Sequence, residues 1–477
     1  MNALEEDLSK EISEYTEEYQ LYCKNNNIKI RNELVSFLTN QTISGTIPEE
    51  LALKGNSEEL RNCRIDNNQI LGILYPLKYT SFITVIDLRF NVITDEGAET
   101  IARFLLDNKS VKSLILKSND IGSRGAACIS KALHINEHLS HLDISCNPIG
   151  QEGGLAIASM LQINTSLKKL EVYSCSLNSV AVIALATVLR NNTTLTYIDF
   201  SDNFQNTHNL TQSVQNALML HIANMIKYNS YLYDLRMQKM CITDWAMVDF
   251  LEKTIKINTE LRVLDLSSNK LTRDGCVALC SALHYHQSLK SLRLSHCTVQ
   301  DEGADAVKEL LLANEVIEGV FLDYNKITRI GIKSIADALK VNKNLKIILL
   351  WGNIWDTEAC NIFSNLVGGP VESFKCEPDA DRTLPKHYNK SGPIRKNPNN
   401  REVTNIDGEF HYLTNNYYTP CQLADKIYQK SRIHPNNTDV VFYEVEGVLN
   451  VARNIIDLEK EPDEFIDFYS NTEKPTL

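Results

Sequence analysis

Apolar residues recur along this chain at one fixed spacing, which is clearest in residues 261–288, LRVLDLSSNKLTRDGCVALCSALHYHQS. Leucines occupy the first, fourth and sixth places of this segment, and Asn269 occupies the ninth. Apolar residues at helical spacing follow in Cys276–Leu283. This change of period predicts a short strand, a turn and a helix. A strand–helix repeat of this size cannot bury its own apolar faces, so the pattern predicts neighbouring repeats.

The same spacing occurs eleven times. From the second repeat onward, seven repeats are 28 residues long and one is 29 residues long. The predicted starts are Leu60, Ile83, Val111, Leu139, Leu167, Leu195, Leu232, Leu261, Leu289, Ile317 and Leu345. The side chain of the ninth-place Asn can satisfy backbone groups in the buried turn after the strand. In two repeats Cys175 and Cys297 stand at this place, with a similar size but only a weak donor.

This pattern resembles the leucine-rich repeat, in the ribonuclease-inhibitor-like subtype whose repeats have about 28 or 29 residues. The resemblance covers residues 60–373. It implies an α/β fold, a leucine-rich-repeat solenoid shaped as a horseshoe. The parallel strands would line its concave side and the helices its convex side. It also implies a protein that binds other proteins.

The chain on both sides of the repeats has a different character. Residues 1–59 contain an apolar stripe at helical spacing, Leu4–Tyr22, beneath an acidic outer face. This predicts a helical N-terminal cap, or alternatively a helix that binds a partner. Residues 374–408 are rich in Pro and Asn and carry a basic patch, as is typical of an extended linker.

Residues 409–477 regain apolar content and predict either a small α+β domain or a tail that docks on the repeats. Phe410–Leu413 and Val440–Tyr443 are candidate strands, and Val448–Ile456 is a candidate short helix. Within the array, the sixth repeat has 37 residues, and its extra residues lie in Phe204–Gln215. This insertion is either a binding loop beside the strands or a tolerated surface loop.

Side chains at the third, fifth and seventh places point out of the concave strand face, because strand residues alternate sides. The early and middle repeats place an acidic stripe with two tyrosines there: Asp87, Asp143, Glu171, Tyr173, Tyr197 and Asp199. Neighbouring carboxylates repel one another, and a basic protein partner would relieve this repulsion. The alternative is an ordinary solvated sheet face.

The last two repeats place an apolar patch at the corresponding positions: Phe321, Tyr324, Ile347, Leu349 and Trp351. An exposed patch of this kind usually marks an interface, and Trp and Tyr are frequent anchors. Either the C-terminal tail or a protein partner would cover it.

Composition narrows the classes of function. The net charge of −12 and a pI near 5.5 argue against general nucleic-acid binding. No apolar run has the length of a bilayer span, and the acidic start MNALEEDLSKEISEYTEE differs from a secretory signal, so we expect a cytoplasmic protein without membrane contact. The twelve cysteines show no zinc spacing, so we expect reduced thiols and no metal. Nucleophile-elbow, phosphate-loop and dinucleotide motifs are absent, so we expect no catalysis, cofactor or small-molecule substrate.

Together these features predict a non-catalytic intracellular scaffold that binds proteins through the concave face and the C-terminal tail. The Asn-rich composition hints at an AT-rich genome, for which a cytoskeletal or ciliary (axonemal) setting is one option. The alternative is a GTPase-activating protein of the Ran activator type, which the chain resembles in repeat subtype and in its eleven repeats. That family typically carries an acidic tail, whereas residues 377–408 are basic, and no catalytic residue can be carried over.

Overall fold

The computed structural model describes residues 3–44, 49–57, 64–78, 81–204, 211–350, 352–356, 358–362, 441–445 and 448–452. The chain divides into an N-terminal body, Met1–Cys241, and a C-terminal body, Ile242–Leu477. In both bodies a three-residue strand alternates with a helix along the array, as the spacing predicts. The predicted linker, the candidate strand Phe410–Leu413 and residues 205–210 of the Phe204–Gln215 insertion lie outside the described residues.

The N-terminal body contains eight helices and seven strands among its described residues. They are α1 (Ala3–Asn25), α2 (Asn32–Ser44), β1 (Glu50–Ala52), α3 (Asn67–Leu77), β2 (Val85–Asp87), α4 (Asp95–Asp107), β3 (Ser113–Ile115), α5 (Ser123–Leu133), β4 (His141–Asp143), α6 (Gly150–Leu161), β5 (Lys169–Glu171), α7 (Ser179–Leu189), β6 (Tyr197–Asp199), α8 (Gln212–Tyr228) and β7 (Asp234–Arg236). Each strand pairs in parallel with the next.

The register of this sheet follows the repeat. Leu114 pairs with Ile86 on one side and with Leu142 on the other, so fourth-place residues form one row across the sheet. These side chains are buried between the strands and the helices. The predicted leucine-rich-repeat solenoid of strand–helix repeats is thereby confirmed.

The first repeat begins earlier than the sequence pattern indicated. Strand β1, Glu50–Ala52, pairs with β2 in the register of the later repeats. Ile65 takes the eleventh place, because its N–H donates to Asn91 Oδ1 at 2.8 Å. The assignment of Leu60 to the first place is therefore wrong, and Asn68 lies inside α3 rather than in a turn. Fourteen residues separate β1 from α3, against seven between β2 and α4, so the regular spacing misplaced this repeat.

Helix α1 lies against the first repeat. The Tyr15 hydroxyl donates to the carbonyl of Ile73 on α3 at 3.1 Å, and the Tyr19 hydroxyl accepts from the Arg31 N–H at 2.9 Å. Ile12, Tyr15, Tyr19 and Cys23 are buried. This side of α1 therefore belongs to the core of the N-terminal body.

The C-terminal body has the following described elements: α9 (Asp244–Ala246), a π-helical turn (Met247–Leu251), α10 (Glu252–Ile257), β8 (Val263–Asp265), α11 (Arg273–Leu283), β9 (Ser291–Arg293), α12 (Gln300–Ala313), β10 (Gly319–Phe321), α13 (Arg329–Val341), β11 (Ile347–Leu349), β12 (Val441–Val445) and β13 (Val448–Ala452). Strands β8 to β11 are parallel. The π-helical turn falls in the one repeat of 29 residues, which accommodates its extra residue inside the helix.

The C-terminal tail adds two antiparallel strands to this sheet. β13 pairs with β11, with Ile348 opposite Val451, and β12 pairs with β13. The candidate strand at Val440–Tyr443 overlaps β12. The helix predicted from Val448 is wrong for residues 448–452, because these residues complete backbone pairing with strands on both sides.

Three further observations concern the described residues only. No helix there is both long and apolar enough to cross a membrane. No group of three or more His, Cys, Asp or Glu side chains in this part of the chain is placed to hold a metal ion. Eight of its cysteines are reduced thiols, whereas Cys360 is disulfide-bonded, so the expectation of reduced thiols is wrong for Cys360.

Candidate protein-binding face

The outward side chains of β1 to β7 and of the residues that follow each strand form the strand face of the N-terminal body. The six residues of the predicted acidic stripe lie on this face, on strands β2, β4, β5 and β6 or just after them. The stripe is not an exposed acidic surface, however. Asp87, Asp143, Glu171 and Asp199 are all buried. Other side chains of the protein cover them.

Asp87 shows how this covering works. Arg89, two residues further along, donates from Nε to Asp87 Oδ1 at 3.1 Å. Lys54 Nζ lies 3.7 Å from Asp87 Oδ2. Residues two apart on a strand point to the same side, so Arg89 covers the carboxylate that precedes it. Asp87 is 1% exposed as a result.

Glu171 is the centre of a hydrogen-bonded chain across three strands. Its Oε1 lies 2.9 Å from His141 Nε2 and 2.8 Å from Lys169 Nζ. The other ring nitrogen of His141, Nδ1, lies 2.8 Å from the Ser113 hydroxyl oxygen. With the imidazole proton on Nε2, His141 donates to Glu171 and accepts from Ser113. The parallel register places Ser113 beside His141, and this produces the row of hydrogen bonds.

Two carboxyl groups on this face titrate far from their ordinary range. Burial raises the pKa of Asp143 to about 6, and the charge of Glu171 adds to this effect. Burial raises the pKa of Asp199 to about 7, and the Arg236 guanidinium opposes the rise. Asp199 accepts from the Ser201 N–H at 2.9 Å. These groups carry a proton over a pH range where an exposed aspartate is fully ionised.

The two tyrosines are held by cations. Lys117 Nζ lies 5.4 Å from the centre of the Tyr173 ring. Lys169 Nζ and Arg236 Cζ lie 4.5 and 4.8 Å from the centre of the Tyr197 ring. Cation–π attraction fixes both rings in place. Tyr197 is buried, whereas Tyr173 is half-buried and accessible.

Glu50 on β1 is an exposed carboxylate, but in several ion pairs of the strand face the cation is the more exposed partner. The side chains of Lys54, Lys169 and Lys239 are 35%, 30% and 32% exposed, against 6% for Glu171 and 10% for Asp234. These cations offset part of the carboxylate repulsion from which we expected a basic partner, although the charge of Glu171 still raises the pKa of Asp143. The basic partner stays a prediction.

The predicted apolar patch lies on β10 and β11 of the C-terminal body. Phe321 pairs with Leu349, and both are buried, at 5% and 9% exposure. The Arg293 guanidinium carbon lies 4.7 Å from the centre of the Phe321 ring. Ile347 and Leu349 are in register with β13 of the tail. Trp351 lies outside the described residues.

Tyr324, the remaining residue of the patch, packs against a side chain outside the patch. Its ring stacks on His296 with the ring centres 4.3 Å apart. Gly352 lies beneath the same ring: a Cβ atom there would be 2.4 Å from Tyr324 Cδ1, and its φ is +72°. The patch is thus closely packed, with four of its five predicted residues brought together on neighbouring strands or just after them.

The cationic partners were not recognised as a set from the sequence, although a signal was present. Asp87 with Arg89, Lys169 with Glu171, and Asp234 with Arg236 are opposite charges two residues apart on one strand side. This spacing alone indicates pairing across the surface of the strand.

Strand–helix repeats whose buried turns are closed by Asn side chains define a leucine-rich repeat protein, and this chain is one. Five of its segments match the Leucine Rich repeat family, at residues 81–102, 107–130, 136–158, 258–280 and 285–308. Proteins of this class mediate protein–protein interaction and are generally non-enzymatic.

The chain is similar to parts of known leucine-rich repeat proteins. Mouse leucine-rich repeat-containing protein 34 is 33% identical over 166 residues, which are 35% of this chain and 39% of that protein. Mouse NACHT, LRR and PYD domains-containing protein 4C is 36% identical over 93 residues, 19% of this chain and 10% of that protein. The solved leiomodin-1 actin-binding site 2 is similar at 26% identity with a TM-score of 0.26, covering 30% of this chain and 80% of that one. The chain thus spans less than half the length of these two mouse relatives.

Proposed function

We propose that this protein is a non-catalytic scaffold that binds a protein partner through the strand face of its N-terminal body. The observation that carries the proposal is the fixed, accessible ring of Tyr173, on the same strand face as the partly exposed ammonium group of Lys169. Lys117 positions the ring, and Lys169 is held by Glu171 at 2.8 Å. Rigid aromatic anchors lose little freedom on binding, and they dominate many interfaces.

The charge layout supports a partner that presents carboxylates together with an apolar group. Its carboxylates would meet Lys54, Lys169 and Lys239, the most exposed charged groups for which ion pairs are seen on this face. Its apolar group would pack on Tyr173. A basic partner would meet these ammonium groups first and be repelled.

The C-terminal tail is the second element of the proposal. β13 occupies the edge of β11, where an open strand would otherwise offer unpaired backbone groups. A partner that adds a strand at this edge would have to displace β13. The tail therefore either protects this edge or regulates access to it.

Affinity capture with the full chain tests the strand face directly. Tyr173→Ala should lose the captured partner, with affinity falling by roughly 30-fold or more, as expected when an anchor is removed. Tyr285→Ala is the matched control, since Tyr285 is 77% exposed beyond the end of helix α11. A chain ending at residue 376 tests the tail. Equal affinity of Tyr173→Ala and the wild type would refute the proposal.

Location and the catalytic alternative have separate tests. We propose a cytoplasmic location at the cytoskeleton or the ciliary axoneme, supported only by the Asn-rich composition, and imaging of the tagged protein would test it. The GTPase-activating alternative is tested by Ran GTP hydrolysis with catalytic amounts of the chain. Stimulation in that assay would refute the non-catalytic part of the proposal.

A further inference from the structure

Helices α6, α7 and α8 of the N-terminal body carry almost no charge. Helix α7, SVAVIALATVL, has no charged residue, whereas Glu152 is the only one in α6 and Lys227 the only one in α8. Helix α4 of the same body contains five charged residues in DEGAETIARFLLD. Because the repeat gives these helices equivalent positions, the difference does not follow from the fold.

The uncharged side chains face outward as well as inward. Ala181, Val182, Leu185 and Leu189 fill the inner side of α7. On the outer side, Val180 is 50% exposed and Ile183 is partly exposed. A helix that is apolar all round is normally covered on every side. An outer surface of this kind marks an interaction site.

The neighbouring helices extend this surface. Leu155 on α6 and Leu220 on α8 are 36% and 49% exposed and occupy the repeat position of Ile183. Asn178, before α7, donates to the side chain of Gln151 on α6, so the N-terminal ends of these helices lie side by side. Asn192 Nδ2 donates to the Leu161 carbonyl at 2.9 Å, which joins the C-terminal ends.

We define the α6–α8 surface by Leu155, Val180, Ile183, Ala184, Thr187 and Leu220. Its charges lie only at its two ends. Glu152 is exposed at the N-terminal end of α6. Arg190 and Lys227 are exposed at the C-terminal ends of α7 and α8. The Arg190 guanidinium carbon and Lys227 Nζ each lie 4.8 Å from the centre of the Tyr228 ring, which holds both cations at this end.

We propose that the α6–α8 surface is the interface of a homodimer. A two-fold axis that lies in this surface, perpendicular to the helices, runs the helices of one copy antiparallel to those of the other. Glu152 of each copy then lies at the end of the interface where its partner carries Arg190 and Lys227, and uncharged side chains meet between the two ends. Such self-complementarity is what an isologous contact requires.

The net charge of the chain supports a second copy of the same chain as the partner that binds the α6–α8 surface. Two chains of net charge −12 repel one another, and they meet with least repulsion where the surface is uncharged and its end charges are complementary. Three helices at least ~17 Å long and about 9 Å apart give a footprint of roughly 500 Å² per copy. Doubled, this footprint reaches the roughly 1,000 Å² at which specific interfaces begin.

Analytical ultracentrifugation of the full chain over a wide concentration range tests the proposal. The wild type should form dimers. Val180→Glu combined with Ile183→Glu should give monomers, with the circular dichroism spectrum of the wild type. The control is Leu312→Glu combined with Ile330→Glu, two apolar side chains that are 43% and 66% exposed in the C-terminal body, and it should remain dimeric. A monomeric wild type, or a dimeric Val180/Ile183 variant, would overturn the proposal.

A charge exchange tests the orientation of the two copies. Glu152→Arg alone and Arg190→Glu alone should each weaken the dimer by about tenfold or more, because each places like charges together at two symmetric positions. The two changes combined should restore most of the affinity. Failure of the combined variant to recover would overturn the antiparallel arrangement. Tyr173→Ala should leave dimerisation unchanged, which separates this test from that of the strand face.

Discussion

Replacement of Asn147 by alanine should strongly destabilise the N-terminal body. Asn147 is 1% exposed, and its side chain joins backbone groups of two neighbouring repeats. Nδ2 donates to the carbonyls of Leu116, Ile144 and Ser145 at 2.9, 2.9 and 3.0 Å. Oδ1 accepts from the Ile121 N–H at 3.1 Å. The change therefore removes four hydrogen bonds from a buried turn.

The magnitude depends on which groups keep another partner. The Leu116 carbonyl still accepts from Asn119 Nδ2 at 2.9 Å, and the Ser145 carbonyl from the Ser118 N–H at 2.9 Å. The Ile121 N–H loses its acceptor and stays buried, at a cost of about 1–3 kcal/mol. Three lost bonds to carbonyls that retain other partners add roughly 0.5–1 kcal/mol each. We expect a total loss of about 3–5 kcal/mol.

Urea unfolding followed by circular dichroism measures this loss, and amide exchange at Ile121 locates it. Asn191→Ala is the matched control, since Asn191 is exposed on the surface next to a buried turn. The control should change the free energy of unfolding by no more than about 0.5 kcal/mol. A similar small change in Asn147→Ala would refute the reasoning.

Cys175 supplies a natural comparison at the same repeat position. Its Sγ donates to the Ile144 carbonyl at 3.3 Å, but a thiol has no carbonyl-type acceptor for the neighbouring repeat. The Ile149 N–H, which corresponds to that of Ile121, instead donates to the Asn147 carbonyl at 2.8 Å. The next residue, Gly150, then takes a positive φ of +63°, which glycine adopts without strain. Gly122 follows Ile121 as Gly150 follows Ile149, so Asn147→Cys should recover part of the stability that Asn147→Ala loses.

Two further predictions concern carboxylates of the N-terminal body. Because burial raises the pKa of Asp199 to about 7, folding takes up a proton between the ordinary carboxyl pKa of about 4 and pH 7. The stability from this group is full below pH ~4 and is lost as the pH rises through ~7, so Asp199→Asn should be more stable than wild type at pH ~8 by up to about 4 kcal/mol and equal to it near pH ~4. Thermal melts across this range measure the difference, and an unchanged pH slope in the variant would contradict the assignment. Separately, Asp95 accepts from the N–H groups of Gly122 and Gly125 at 2.7 and 2.8 Å, and so caps helix α5 from the preceding repeat. Asp95→Ala should cost about 1–2 kcal/mol in urea unfolding, and the exposed Asp107→Ala is its control.

The repeat spacing predicted most of the fold because burial repeats with it. From Ile83 onward, the first, fourth and sixth places fill one core between strands and helices, so the strands β2 to β11 fall where the spacing puts them. The spacing failed where the core was irregular. An unusually large number of residues separates β1 from α3. The short apolar run at Val448 fits a helix or a strand equally well until its pairing partners are known.

The sequence predicted the side of the sheet on which the stripe residues lie, but not how deeply their side chains are buried. Strand alternation correctly assigns Asp143 and Glu171 to the outer face of the sheet. Whether such a side chain is exposed depends on its neighbours on strands about 4.8 Å away. Lys169 and His141 reach over Glu171 from the third places of β5 and β4. Side-chain reach of this kind involves several repeats at once and cannot be deduced from one repeat.

On the strand face, the buried side chains that stabilise the fold differ from the surface side chains that a partner would contact. The carboxylates lie beneath the cations, so a carboxylate substitution changes the free energy of unfolding and also moves the cations that a partner would meet. Loss of binding in Asp199→Asn would thus not identify a partner contact. Tyr173 and Lys239 reach the surface, the first on a cation-held ring and the second 3.8 Å from Asp202. Their substitutions are the ones whose effect on binding can be attributed to the partner itself.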